Sequence, residues 1–227
     1  MHTQVTRYSK IGEFHKQKHL ENQDFIYEKE TECAVFYAVA DGVSACANSS
    51  EGARIACEIS AKVILDDVDY YFDLKREKAI HLVISNIRKA IEKAAASAGA
   101  APLSFASTLC FLCIHKKAGR IMTFVLGDSR IYGIRSGTII QKNPVREYRE
   151  NVTCTTMTAF AQADAAFAVN CLDKNEAWML CTDGCWKELF FLDDNKQISM
   201  REMRLDRIAG YLERRTIGDD CTFLTVA

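Results

Sequence analysis

Ser107-Thr-Leu-Cys-Phe-Leu-Cys-Ile-His115, Arg120-Ile-Met-Thr-Phe-Val-Leu126, Arg130-Ile-Tyr-Gly-Ile-Arg135 and Thr138-Ile-Ile-Gln141 follow one another with almost nothing between them. Each run is rich in β-branched and aromatic residues, and each reads as a strand. Lys117-Ala-Gly119 and Ser136-Gly137 are turns too short for a crossover helix, so neighbouring strands must pair as antiparallel hairpins. Ahead of this block lie two helical patterns. Over Asn48 to Asp67, Ala53, Ala56, Ile59, Val63 and Ile64 recur at helical spacing, and Asn48-Ser-Ser-Glu51 resembles a capping box. From about Lys75 to Ser97, Ile80, Val83, Ile84, Ile87, Ile91 and Ala94 form a second apolar stripe. Helices in one block and hairpin strands in another give an α+β fold, not an alternating βαβ one.

Beyond the block, Asn143 to Asp164 is polar and irregular, a surface loop or flap containing Pro144. Strands are expected near Ala166–Asn170 and Ala177–Thr182, a helix from Ser199 to Arg214, and a closing strand from Cys221 to Ala227. The 227 residues fit a single domain spanning 1–227. A net charge of −1 with no Lys/Arg block argues against nucleic acid. No apolar run is long enough to span a membrane, and the polar start has no secretory h-region, so the cytoplasm is expected. The ten cysteines, many in apolar runs, then read as reduced core residues. Cys110 and Cys113, three apart in a strand, face opposite sides and suit a zinc or redox pair poorly.

Four acidic dipeptides sit at strand ends. Asp41-Gly42, Gly127-Asp128 and Asp183-Gly184 follow apolar runs, and Asp219-Asp220 opens one. Carboxylates that converge repel one another unless cations neutralise them, which points to hard divalent ions held by oxygen ligands, Mg²⁺ or Mn²⁺. A shared water between two such ions acquires a lowered pKa and is aligned for in-line attack on phosphorus. Other hydrolytic chemistries lack their motifs. Six residues separate Cys113 from Arg120 where an arginine phosphate loop needs five, and GxSxG is absent. Asp67-Val-Asp69 has no strand before it and reads as a solvated helix terminus.

Asn22-Gln-Asp24, Ala40-Asp-Gly42, Ala106-Ser-Thr108, Val125-Leu-Gly-Asp-Ser-Arg-Ile-Tyr132, Cys181-Thr-Asp-Gly184 and Gly218-Asp-Asp-Cys-Thr222 occur in that order. Together they resemble the successive motifs of the metal-dependent Ser/Thr protein phosphatases of type 2C, over nearly the whole chain from Gly12. The resemblance implies an αββα four-layer sandwich with a binuclear Mg²⁺ or Mn²⁺ site at one end. It implies that Asp41 bridges both ions and that the Gly42 carbonyl binds one. Asp183 and Asp219 would hold the other, with Asp24 acting mostly through water. Asp128 with Asp183 matches the pair that holds a third, weaker ion in bacterial members. The implied substrate is a phosphoserine or phosphothreonine protein, and the implied partner is a Ser/Thr kinase or its targets.

Three departures stand out. His19 occupies the position where many members carry a phosphate-clamping Arg, and Val43-Ser44 replaces the usual Gly-Gly. The segment after Arg135 is short. Gly12-Glu-Phe-His15 resembles a bacterial branch with His at that place, so His15 is the expected phosphate contact or proton donor, with Lys16, Lys18 or His19 assisting. The rival reading, motivated by these departures, is a phosphatase-fold binding or regulatory module that has lost turnover. A metal-dependent phosphatase of small molecules would share the same site.

Overall fold

The computed structural model describes residues 4–142, 155–159 and 161–227. Two five-stranded sheets form its centre, and every strand pairing in them is antiparallel. The first sheet holds β2 (Asp24–Glu30), β3 (Ala34–Asp41), β4 (Leu109–His115), β5 (Arg120–Leu126) and β8 (Ala166–Cys171), in that spatial order. The second runs β1 (Val5–Lys10), β12 (Cys221–Val226), β9 (Ala177–Cys181), β6 (Arg130–Arg135) and β7 (Thr138–Lys142).

Strand alternation sorts the core into three layers. Phe36, Ala38, Phe111, Cys113, Met122 and Phe124 face outward from the first sheet, onto α2 (Ser49–Asp66) and α4 (Arg76–Ala98). Tyr37, Val39, Cys110, Leu112, Trp178, Leu180 and Leu224 interdigitate between the sheets. Met179, Cys181, Cys221 and Phe223 face outward from the second sheet, onto α6 (Asp183–Leu189) and α7 (Ile208–Glu213). The αββα sandwich is therefore present, with Cys110 and Cys113 in different layers as their spacing requires. The described cysteines are all free thiols.

The helices over Asn48–Asp67 and Lys75–Ser97 begin and end within a residue or two of expectation. The capping box does not form. Asn48 stands at the N-cap, but its amide donates to Ser104 Oγ at 2.9 Å, and Glu51 pairs with Arg54. The helix expected over Ser199–Arg214 is largely replaced. Ile198–Met200 is a strand, β11, paired with β10 (Phe190–Leu192) across a turn in which the Asp193 side chain accepts from Asn195 and Gln197 N–H. Here a short alternating run with a partner next to it outcompetes helical periodicity, and only Ile208–Glu213 is α-helical. The strand β1, the helix α1 (Glu13–Gln17) and the helix α3 (Val68–Asp73) were not anticipated. Asp67 caps α3, its side chain accepting from Tyr70 N–H at 3.3 Å. Most of the Asn143–Asp164 segment, with Pro144, lies outside the described residues. Its end carries α5 (Ala161–Asp164).

Candidate metal centre

The acidic strand tips meet at one end of the sandwich. Asp24 begins β2 and Asp41 ends β3, and the two are register partners across the ladder. Thr108 fixes Asp41: its hydroxyl accepts from Asp41 N–H at 3.0 Å and bonds Ser129 Oγ at 2.8 Å, tying the first sheet to the loop that enters β6. Thr182 ties the second sheet back. Its hydroxyl donates to Asp24 Oδ2 at 2.8 Å and accepts from Thr222 N–H at 3.1 Å. Thr182 is the N-cap residue of α6, but its side chain serves Asp24 instead of the helix.

Asp183 opens α6 and is 7% exposed. Lys187, one turn later, donates to Asp183 Oδ2. The indole of Trp186 donates to the Asp128 carbonyl at 2.8 Å and stacks on the Arg130 guanidinium, 3.3 Å from its centroid. Arg130 is therefore held by an aromatic face. Gly184 is obligatory for contact: a Cβ there would lie 2.1 Å from the Asp220 carbonyl oxygen. Gly42 is equally tight, since its Cβ would lie 2.7 Å from the Ser49 backbone in the first turn of α2.

The adjacent acids Asp219 and Asp220 have separate surroundings. Asp220 is 2% exposed and accepts from Gly12 N–H at 2.8 Å, Gln23 N–H at 2.6 Å and His15 Nδ1 at 2.7 Å. Asp219 is half-buried, and one of its oxygens accepts from Asp220 N–H at 3.0 Å. His15 is 3% exposed, with Nε2 lying 3.3 Å from the hydroxyl of the exposed Ser44. Lys16 pairs with Glu13 on the surface. His19 follows the end of α1 with φ 54°, and Leu20 N–H returns to the His15 carbonyl at 2.9 Å, a Schellman ending in a place that favours glycine.

The carboxylates lie close enough to act on one another's charge. Burial first, then the charges of Asp24, Asp183, Asp128 and Asp219, push the Asp41 carboxyl well above the usual carboxylate range. Burial raises Asp24 to about 8, although hydrogen bonds from Thr222 and Thr182 oppose it and the Asp220 charge assists. Burial and the Asp183 charge also raise Asp219. Even so, no three acidic, His or Cys side chains among the described residues have closed into a ready ligand set.

The residues fit a hard divalent cation. The donors are carboxylate oxygens, and Asp24 Oδ1 and Asp183 Oδ1 are buried without a hydrogen-bond partner. Asp220, Thr182 and Thr108 stand inside the quoted motifs without a role read for them, and Lys187 was not singled out. A Thr at a strand end and an Asp beside another Asp carry no distinguishing pattern, and only the cross-sheet contacts reveal their roles.

A model of the protein phosphatase 2C family matches residues 11–214. No curated protein sequence matches the chain. Among solved structures, RsbX in complex with magnesium is 15% identical, covering 99% of this chain and 94% of its own, with a TM-score of 0.65. PppA, a regulatory component of T6SS in Pseudomonas aeruginosa, is 17% identical over 100% and 97%, with a TM-score of 0.70. The serine/threonine phosphatase Stp1 from Staphylococcus aureus is 13% identical over 100% and 95%, also at 0.70.

Proposed function

We propose that this chain, which belongs to the protein phosphatase 2C family, is a metal-dependent phosphatase of phosphoserine and phosphothreonine proteins, acting in the cytoplasm opposite a Ser/Thr kinase. The observation that carries the reading is the convergence of Asp24, Asp128, Asp183 and Asp219 on Asp41. Asp41 and the Gly42 carbonyl would hold two Mg²⁺ or Mn²⁺ ions together with Asp183, Asp219 and Asp24, and Asp128 with Asp183 would take a weaker third. When bound, the ions supply Lewis acidity and lower the pKa of water.

The chain's own residues then have defined tasks. Thr108 and Thr182 hold the Asp41 backbone and the Asp24 carboxylate where two sheets meet, so the ligands are set by rigid elements. Asp220 accepts from His15 Nδ1 and turns Nε2 toward Ser44, whose exposed hydroxyl can pass a proton to the departing alkoxide. In this reading a proton from His15 would reach the leaving group through Ser44. Cys185 is fully buried, and burial pushes its thiol well up, so it is a poor nucleophile. The reading assigns the attack on phosphorus to water, with no phosphoenzyme formed.

No helix among the described residues is long and apolar enough to cross a membrane. The inactive-module reading is not favoured, since every acidic position of the motif set is present in the sequence.

The substrate class is tested by comparing Mn²⁺-supported phosphate release from a phosphothreonine peptide with release from a panel of small phosphate metabolites. The expected outcome is a catalytic efficiency at least about tenfold higher on the peptide, a difference of ~1.4 kcal/mol in transition-state binding. A metabolite preferred by that margin, or a trapped covalent phosphoenzyme, would refute the assignment.

A further inference from the structure

Lys187 reaches one carboxylate of the cluster directly. It lies four residues after Asp183 on the same face of α6, and its ammonium is paired with Asp183 Oδ2. The lysine side chain is 56% exposed and that of Asp183 only 10%, so the ammonium reaches from solvent down onto a buried acid. Nζ also stands 5.6 Å from the Trp186 ring, the residue whose indole binds the Asp128 carbonyl. We propose that Lys187 is a tethered counter-ion for the Asp183 Oδ2 corner of the cluster, and that a divalent ion loading that corner must displace it.

The inference rests on the metal-centre reading above and adds to it a built-in competitor. Several observations support it. Asp183 Oδ2 is engaged by the lysine while Asp183 Oδ1 is buried without a partner, so one oxygen is free for an inner ion and the other is guarded. Trp186 gives no strong alternative seat, because Arg130 already occupies its ring at 3.3 Å. A divalent ion at the corner therefore meets one unit of positive charge and an ion pair to break. Among the described residues, neither Asp41 nor Asp24 is paired with a lysine or arginine.

The consequence is a graded site, with tight inner loading and weak outer loading set by a lysine that swings aside. Mn²⁺ binding, followed by calorimetry and by the paramagnetic resonance signal of free Mn²⁺, reads this without turnover. Wild type, Lys187→Met and Lys187→Arg are compared, with circular dichroism confirming the fold of each. Lys187→Met keeps the stem against Trp186 and removes the charge. It is expected to tighten the weakest class of sites about tenfold and leave the tight class nearly unchanged, while Lys187→Arg binds as wild type does. An unchanged or weaker outer class in Lys187→Met, with the tight class intact, overturns the role of Lys187 and leaves the metal centre standing. Failure of folded wild type to bind Mn²⁺ at all overturns both.

Discussion

Asp41→Asn is expected to abolish turnover and, without metal, to make the protein more stable. Both effects come from one cause. Asp41 is a buried carboxyl in the field of Asp24, Asp183, Asp128 and Asp219, and the metal-free fold bears that repulsion. Asn keeps the shape and removes the charge, so the metal-free stability should rise by about 1–3 kcal/mol at neutral pH. Loss of the proposed shared metal ligand should cost turnover on the order of a thousandfold or more, several kcal/mol of transition-state stabilisation.

The pH dependence distinguishes this from ordinary repacking. An acid whose folded pKa is raised binds extra protons in the folded state, so it subtracts stability once the pH exceeds its unfolded value. Asp24 rises from 3.8 to about 8, and Asp41 is also raised well above 3.8. In EDTA, wild type should therefore lose stability as pH climbs between those values. Asp41→Asn should show a shallower decline, so the gap between them widens toward pH 8. Thermal unfolding across that range reads both. A variant less stable than wild type in EDTA would mean that Asp41 is a satisfied turn residue.

Asp220→Ala is expected to be among the most destabilising single changes in the chain, and Asp219→Ala among the mildest in stability. Asp220 alone satisfies Gly12 N–H, Gln23 N–H and His15 Nδ1 beneath the surface. Truncation orphans three buried donors, joining α1, β2 and the start of β12, at a cost of about 3–5 kcal/mol. Asp219 is half-exposed and accepts only from its neighbour, Asp220 N–H, among the contacts described. Its loss should weaken divalent-ion binding while leaving the metal-free unfolding midpoint within about 0.5 kcal/mol of wild type. Urea unfolding in EDTA separates the pair. A larger loss for Asp219→Ala would reverse the roles of the two acids.

Much of the architecture was legible because its signals are local. The hairpin block from Ser107 to Gln141 needs only strand propensity and short turns, and its strands fall within two residues of their expected limits. The stripes of α2 and α4 bury Ala53, Ala56, Ile64, Ile80, Val83, Ile84, Ile87 and Ile91 as their spacing requires. The strand β1 escaped notice because it lies at a sheet edge with mostly half-exposed side chains, so it has no apolar signature and is held by its ladder to β12. Phe190–Leu192 and Ile198–Met200 are three residues each, too short for period to distinguish strand from helix.

At the site, the acids were readable as strand-tip dipeptides in order. Their supports were not, since Thr182 and Asp220 act across more than 150 residues of chain, on Asp24 and His15 respectively. His15 was picked out by its motif, but its burial and its pairing with Asp220 depend on the fold.

The proposed function requires that this carboxylate cluster work only as a metal-loaded hydrolytic centre. Phosphate release from a phosphothreonine peptide, measured for wild type and Asp183→Asn in EDTA, Mg²⁺ and Mn²⁺, tests it most directly. Turnover by wild type that requires the divalent ion and disappears in folded Asp183→Asn is the predicted result. Turnover that persists in EDTA or in the variant, or a folded wild type that releases no phosphate with either ion, would contradict it.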